Sequence, residues 1–134
     1  MAVFYDLRLM SLAVLMLASQ LDVVSAAVQV YGLYAKDLTG DAAGNHPDPY
    51  VKVWCGSSFG GMTEFVRDTD NPSWSAEFNF PQCTAKENLK LQVWDKDLNF
   101  DDHLGTCVKQ VQYGSFTGSC HLKDGTLFYS YKLK

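Results

Sequence analysis

The chain has 134 residues, of which 11 are basic and 15 acidic, giving a formal net charge of −4. That length holds one domain with a real but modest core. No run of Lys or Arg exists that could neutralise a phosphate backbone, so nucleic acid is excluded as a partner.

Residues 1–26 have the features of a secretory signal. Arg8 supplies a positive start (with Asp6 against it), Leu9 to Ala18 is an apolar run, and Val24-Ser25-Ala26 offers the small residues that cleavage requires. An apolar run of about ten residues is too short to span a bilayer. Export is therefore expected, with the domain occupying residues 27–134.

Along that domain, Val28 to Tyr34 reads as a strand and Thr39 to Asp48 as a loop by composition. Pro49 to Cys55 alternates like a half-buried strand whose Pro stands at the tolerated first position. Gly56 to Gly61 reads as a turn, Met62 to Arg67 as a further strand, and Asp68 to Pro72 as a breaker cluster. Trp74, Phe78 and Phe80 stand at even spacing, so on one strand they share a core-facing side. Trp54 and Trp94 are expected in the core or on a sheet face. Leu89 to Trp94, Leu104 to Val111, Cys120 to Leu122 and Thr126 to Leu133 complete the set, with Asp124-Gly125 as a hairpin turn. No stretch has helical periodicity over the ten or more residues that a helix needs. About eight short strands at regular intervals predict an all-β chain, an eight-stranded antiparallel β-sandwich.

Four cysteines in an exported chain predict disulfides, and three pairings are possible. Zinc is the rival reading, but no C-x-x-C spacing occurs. Cys107 and Cys120 flank the turn-rich Tyr113 to Gly118 and are favoured as one pair. Cys55 with Cys83 follows by elimination.

The most informative stretch follows Val93-Trp94. Asp95, Asp97, Asp101 and Asp102 put four carboxylates within eight positions, with Leu98 and Phe100 caught between them. Like charges this close repel, and a hard cation such as calcium, which takes six to eight oxygen ligands, relieves the conflict. A solvated acidic turn is the plainer alternative; the second acidic loop, Asp41 to Asp48, weighs against it. Leu98 and Phe100 are read as side chains that enter a lipid interface once the charge is neutralised. The alternative is that they fold back on the sandwich end.

Four landmarks now stand in order: Asp48-Pro49-Tyr50-Val51-Lys52-Val53, Asn71-Pro72-Ser73-Trp74 with Phe78 and Phe80, Leu91 to Asp97, and Asp102-His103-Leu104-Gly105. Together they resemble a C2 domain, and more narrowly the chain is similar to C2 domains of the perforin type. The narrower likeness rests on Trp94 to Asp97, Asp101-Asp102, Gly105-Thr106-Cys107, Gly114-Ser115-Phe116 to Cys120 and Phe128 to Tyr131. The resemblance implies a sandwich that binds calcium between its apical loops and docks on phospholipid. Its implied ligands are Asp41, Asp48, Asp95, Asp97 and Asp102, with Asp101 as a sixth. Membrane contact falls to Leu98 and Phe100, and in the first loop to Ala42 and Ala43. The type also places a disulfide where Cys107 and Cys120 stand, whereas it offers no counterpart for Cys55 with Cys83.

The expected protein is therefore a secreted calcium-dependent membrane-binding module, in which a pore-forming domain has no room and a separate pore-forming protein is a conceivable partner. The alternative is a secreted sandwich that binds a protein or carbohydrate, with calcium only stiffening its loops. Enzymatic activity is not expected. No Ser/His/Asp or Cys/His arrangement has suitable context, and the aspartates lack an evident general acid.

Overall fold

The computed structural model describes residues 27–40 and 44–134. The expected secretory segment and the candidate residues Asp41, Ala42 and Ala43 lie outside them.

Among the described residues nine strands run in chain order: β1 Val28–Lys36, β2 Pro49–Cys55, β3 Ser58–Met62, β4 Ser73–Trp74, β5 Phe78–Phe80, β6 Asn88–Asp95, β7 Asp102–Gln110, β8 Gly114–His121 and β9 Thr126–Leu133. They form the expected antiparallel sandwich. One sheet has the order β4-β1-β9-β8, with β5 also paired to β1; the other has the order β3-β2-β6-β7. Period-two alternation builds the core: Val51 and Val53 from β2, Leu89, Leu91 and Val93 from β6, and Leu127, Tyr129, Tyr131 and Leu133 from β9 all point inward. Trp74, Phe78 and Phe80 join them as expected. Trp54 and Trp94 are half-buried on the outer sheet face, with Lys90 4.4 Å above the Trp54 ring and Lys52 4.3 Å above the Trp94 ring.

The structure corrects three expected elements. The 74–80 strand is interrupted into β4 and β5, which pair with β1 on either side of Gly32 (φ 64°), the place where β1 also shifts register against β9. Taken as two halves of one strand, they restore the expected eight. The 56–61 turn shrinks to Gly56-Ser57, and Ser58–Met62 is strand while residues 63–67 are not. The glycines that suggested a turn have a packing reason: a Cβ at Gly60 would lie 2.3 Å from the Phe80 ring, so only glycine lets β5 cross β3 there. Similarly, Gly114–His121 is one long edge strand, not a turn leading into a short strand. Its Gly/Ser-rich composition suits an exposed edge that pairs on one side only, with β9.

Both disulfides have the expected partners, Cys55–Cys83 and Cys107–Cys120. The second joins β7 to β8, the adjacent edges of the two sheets, and so staples the sandwich along one side. The first ties the end of β2 to the β5–β6 connection, at the base. Antiparallel order places the β1–β2, β3–β4, β6–β7 and β8–β9 connections together at the opposite end, the apex. Val28 and Leu133, the outer ends of the first and last strands, face one another at the base.

The staple has a measurable effect. Replacing Cys107 and Cys120 together by Ser should lower the unfolding free energy by about 2–4 kcal/mol, the usual effect of opening a loop this short. Guanidinium titration checks it, with a slope that steepens because the opened denatured chain exposes more surface.

Candidate functional site

The apical site begins with register. β2 and β6 pair without interruption from Pro49↔Asp95 to Cys55↔Leu89, so the chain enters β2 just where it leaves β6. Across that junction the Asp48 N–H donates to Asp95 Oδ1 at 2.8 Å, and the Lys96 N–H donates to the Asp48 carbonyl at 3.0 Å. Asp95 is only 4% exposed.

A second register feature brings in Asp102. β6 and β7 pair Val93↔Gly105 but then Trp94↔His103 and Asp95↔Asp102, so Leu104 is the extra residue of a bulge. Without it Asp95 would face His103. A one-residue shift reverses which side chains share a face, so the bulge is what sets the Asp102 carboxylate beside that of Asp95. Carboxylate oxygens of Asp95, Asp97 and Asp102 all lie within 4.8 Å of one another.

The other candidates are placed differently. Asp48 Oδ1 accepts from the Asp68 N–H at 2.6 Å, with Asp68 in the left-handed region at φ 56°. Asp101 is turned toward β2: its Oδ2 accepts from the Tyr50 hydroxyl at 2.5 Å and lies 3.7 Å from Lys96 Nζ, while its Oδ1 accepts from the Asp97 N–H at 3.0 Å. The Tyr50 hydroxyl, then the Asp97 N–H, hold the Asp101 carboxyl below the usual carboxylate range. Burial, reinforced by Asp101, pushes the Tyr50 phenol up. Leu98 and Phe100 are 105% and 86% exposed, so neither folds back on the sandwich.

Several apical residues had no clear signal in the sequence. The β3–β4 connection clamps the first loop: Asp37 N–H donates to Asn71 Oδ1, Leu38 N–H to the Asp70 carbonyl and Thr69 N–H to the Pro47 carbonyl. Asp and Asn in the breaker cluster suited such side-chain-to-backbone bonds, but composition alone could not name the partner. Lys123 and Asp124 of the β8–β9 turn line a cleft of about 270 Å³ together with Asp95, Asp102, Thr39 and His103. Cys55, Cys83 and Glu87 also cluster, but both sulfurs are bridged.

Carboxylates supply hard oxygen donors alone, the chemistry that calcium takes and that zinc or copper does not prefer. A buried Asp95, with Asp97 and Asp102 beside it, fits a calcium ion. Fold and site together define a β-sandwich binding module with an acidic apex. The C2 domain family model matches residues 26–123, and the chain belongs to that family. It is 36% identical to human Perforin-1 over 110 residues, which is 78% of this chain and 18% of that protein. Rat Perforin-1 is 34% identical over 113 residues, 80% of this chain and 20% of that one, so the chain spans about a fifth of these relatives. Human Extended synaptotagmin-1 is 36% identical over 83 residues, 60% of this chain and 7% of that protein. A solved structure of a C2 domain superposes with a TM-score of 0.75 at 37% identity, covering 81% of this chain and 97% of that one.

One prediction concerns His46, which pairs with Asp70 at 3.0 Å and thereby ties the first loop to the β3–β4 loop. The hydrogen bond and the charge of Asp70 raise the His46 pKa above the ordinary 6.5. Because the folded value is the higher one, the contribution to stability is complete below about pH 6.5 and is lost as pH rises through the folded value. NMR titration of the His46 ring should give a midpoint above 6.5, and Asp70→Asn should return it toward that value.

Proposed function

We propose that this chain is a secreted, calcium-dependent phospholipid-binding module. One observation carries the reading: three carboxylates converge at the apex directly beside two large apolar side chains that are fully exposed. Family membership supports binding rather than catalysis, since C2 domains are as a rule binding modules. Two disulfides suit an oxidising, extracellular compartment and support secretion.

The chain's own residues divide the work. Asp95, Asp97 and Asp102 offer oxygens to the ion, while Asp48 donates its N–H to Asp95 and its own carboxylate accepts from the Asp68 N–H. With the site empty these carboxylates repel anionic headgroups. A bound calcium ion would reverse the local field and offer an open position to a lipid phosphate oxygen. Leu98 and Phe100 enter the interfacial layer, and burying both contributes roughly 3–5 kcal/mol at best. The extracellular setting calls for dissociation constants on the order of 10⁻⁴–10⁻³ M.

Vesicle sedimentation tests the reading. Wild-type protein should pellet with phosphatidylcholine or phosphatidylserine vesicles in calcium and stay in solution with chelator. Asp95→Asn with Asp97→Asn should abolish both pelleting and the calcium-induced rise in melting temperature. Leu98→Ser with Phe100→Ser should keep the thermal shift and lose most of the pelleting. A thermal shift in wild type with no pelleting under any lipid would leave calcium as a loop stiffener and overturn the membrane reading.

A further inference from the structure

We infer that Asp101 is a latch rather than a cation ligand, and that Tyr50 is the positioning residue that sets it. The inference rests on the calcium reading above and concerns how the ligands are held.

Asp101 and Asp102 are neighbours with opposite duties. Successive side chains of an extended backbone point to opposite sides, so only one of the two can face Asp95. The bulge at Leu104 assigns that place to Asp102. Asp101 faces the outer side, and both its oxygens are engaged, one by the Tyr50 hydroxyl at 2.5 Å and the other by the Asp97 N–H at 3.0 Å. Tyr50 is a fixed point. It is 5% exposed and stands on the strand paired without interruption to β6.

The connection from Asp97 to Asp101 is thereby closed across its own base. Leu98, Asn99 and Phe100 between them are exposed and contribute little packing of their own. What orients the peptide of Asp97 is the carboxylate of Asp101, and what orients that carboxylate is the phenol of Tyr50. The Asp97 side chain then falls within reach of Asp95 and Asp102. Tyr50 is bonded to Asp101, and through the Asp101 carboxylate it reaches the Asp97 backbone.

The test uses the oxidised domain and calcium itself as probe. Tyr50→Phe keeps the ring and its packing and removes one hydroxyl. It should weaken calcium binding in calorimetry by roughly three- to tenfold, the effect of one lost hydrogen bond to a charged group that orders a ligand. In the calcium-free protein the Asp97 amide resonance should shift and its hydrogen exchange quicken. Asp101→Asn still accepts from the Asp97 N–H and can face Tyr50 with its amide group. It should therefore cost far less affinity than Asp97→Asn. If Asp101→Asn loses as much affinity as Asp97→Asn, Asp101 is a ligand and the latch is overturned. If Tyr50→Phe lowers the melting temperature but leaves calcium affinity and the Asp97 amide unchanged, Tyr50 is merely structural and the inference fails. Should wild-type protein take up no calcium at millimolar concentration, the metal reading falls by itself, and the response of the Asp97 amide to Tyr50→Phe still decides whether the latch exists.

Discussion

The uninterrupted pairing of β2 with β6 fixes everything at the apex. It brings the start of one strand and the end of the other to the same level, so that the Asp48 N–H donates to the Asp95 carboxylate and the Lys96 N–H to the Asp48 carbonyl before any ion is considered. Carboxylates that repel one another would move apart on slack loops. Here one of them is seated at the end of a buried strand, and the strand is held by the sandwich core. Folding free energy, which comes mainly from apolar burial, thus holds like charges together against their repulsion.

The bulge in β7 then refines that arrangement by one residue. A regular ladder would have brought an imidazole to the site; the extra residue, Leu104, brings a carboxylate instead. Bulges recur where a side chain must be re-aimed near a functional site, and this one acts on Asp102 in that way. The loop before it is closed by Asp101 over a short span, leaving Leu98 and Phe100 at its crest.

Much of this was legible from the chain alone, for definite reasons. Strands that are apolar on one face, such as 49–55 and 89–94, announce themselves by alternation, and aspartates packed between apolar residues stand out from any background. Edge strands were harder to read. β3 and β8 pair on one side and bury few side chains, so their glycines and serines resemble turn composition although the backbone is extended. The distinct roles of Asp101 and Asp102 were illegible too. Adjacent identical residues differ only in which way each points, and that depends on a bulge two positions further on. Tyr50 stood in the sequence only as one position of the alternating 49–55 strand, with no sign of its bond to Asp101 of the β6–β7 loop.

The meeting of Val28 and Leu133 at the base has a consequence for how such a unit is used. Entry and exit of the polypeptide lie side by side, at the pole away from the aspartates. A neighbour spliced on at either point would hang clear of whatever surface the aspartates engage, and would have no need to thread past them. Geometry of this kind makes a domain portable, able to serve as a foot beneath very different bodies.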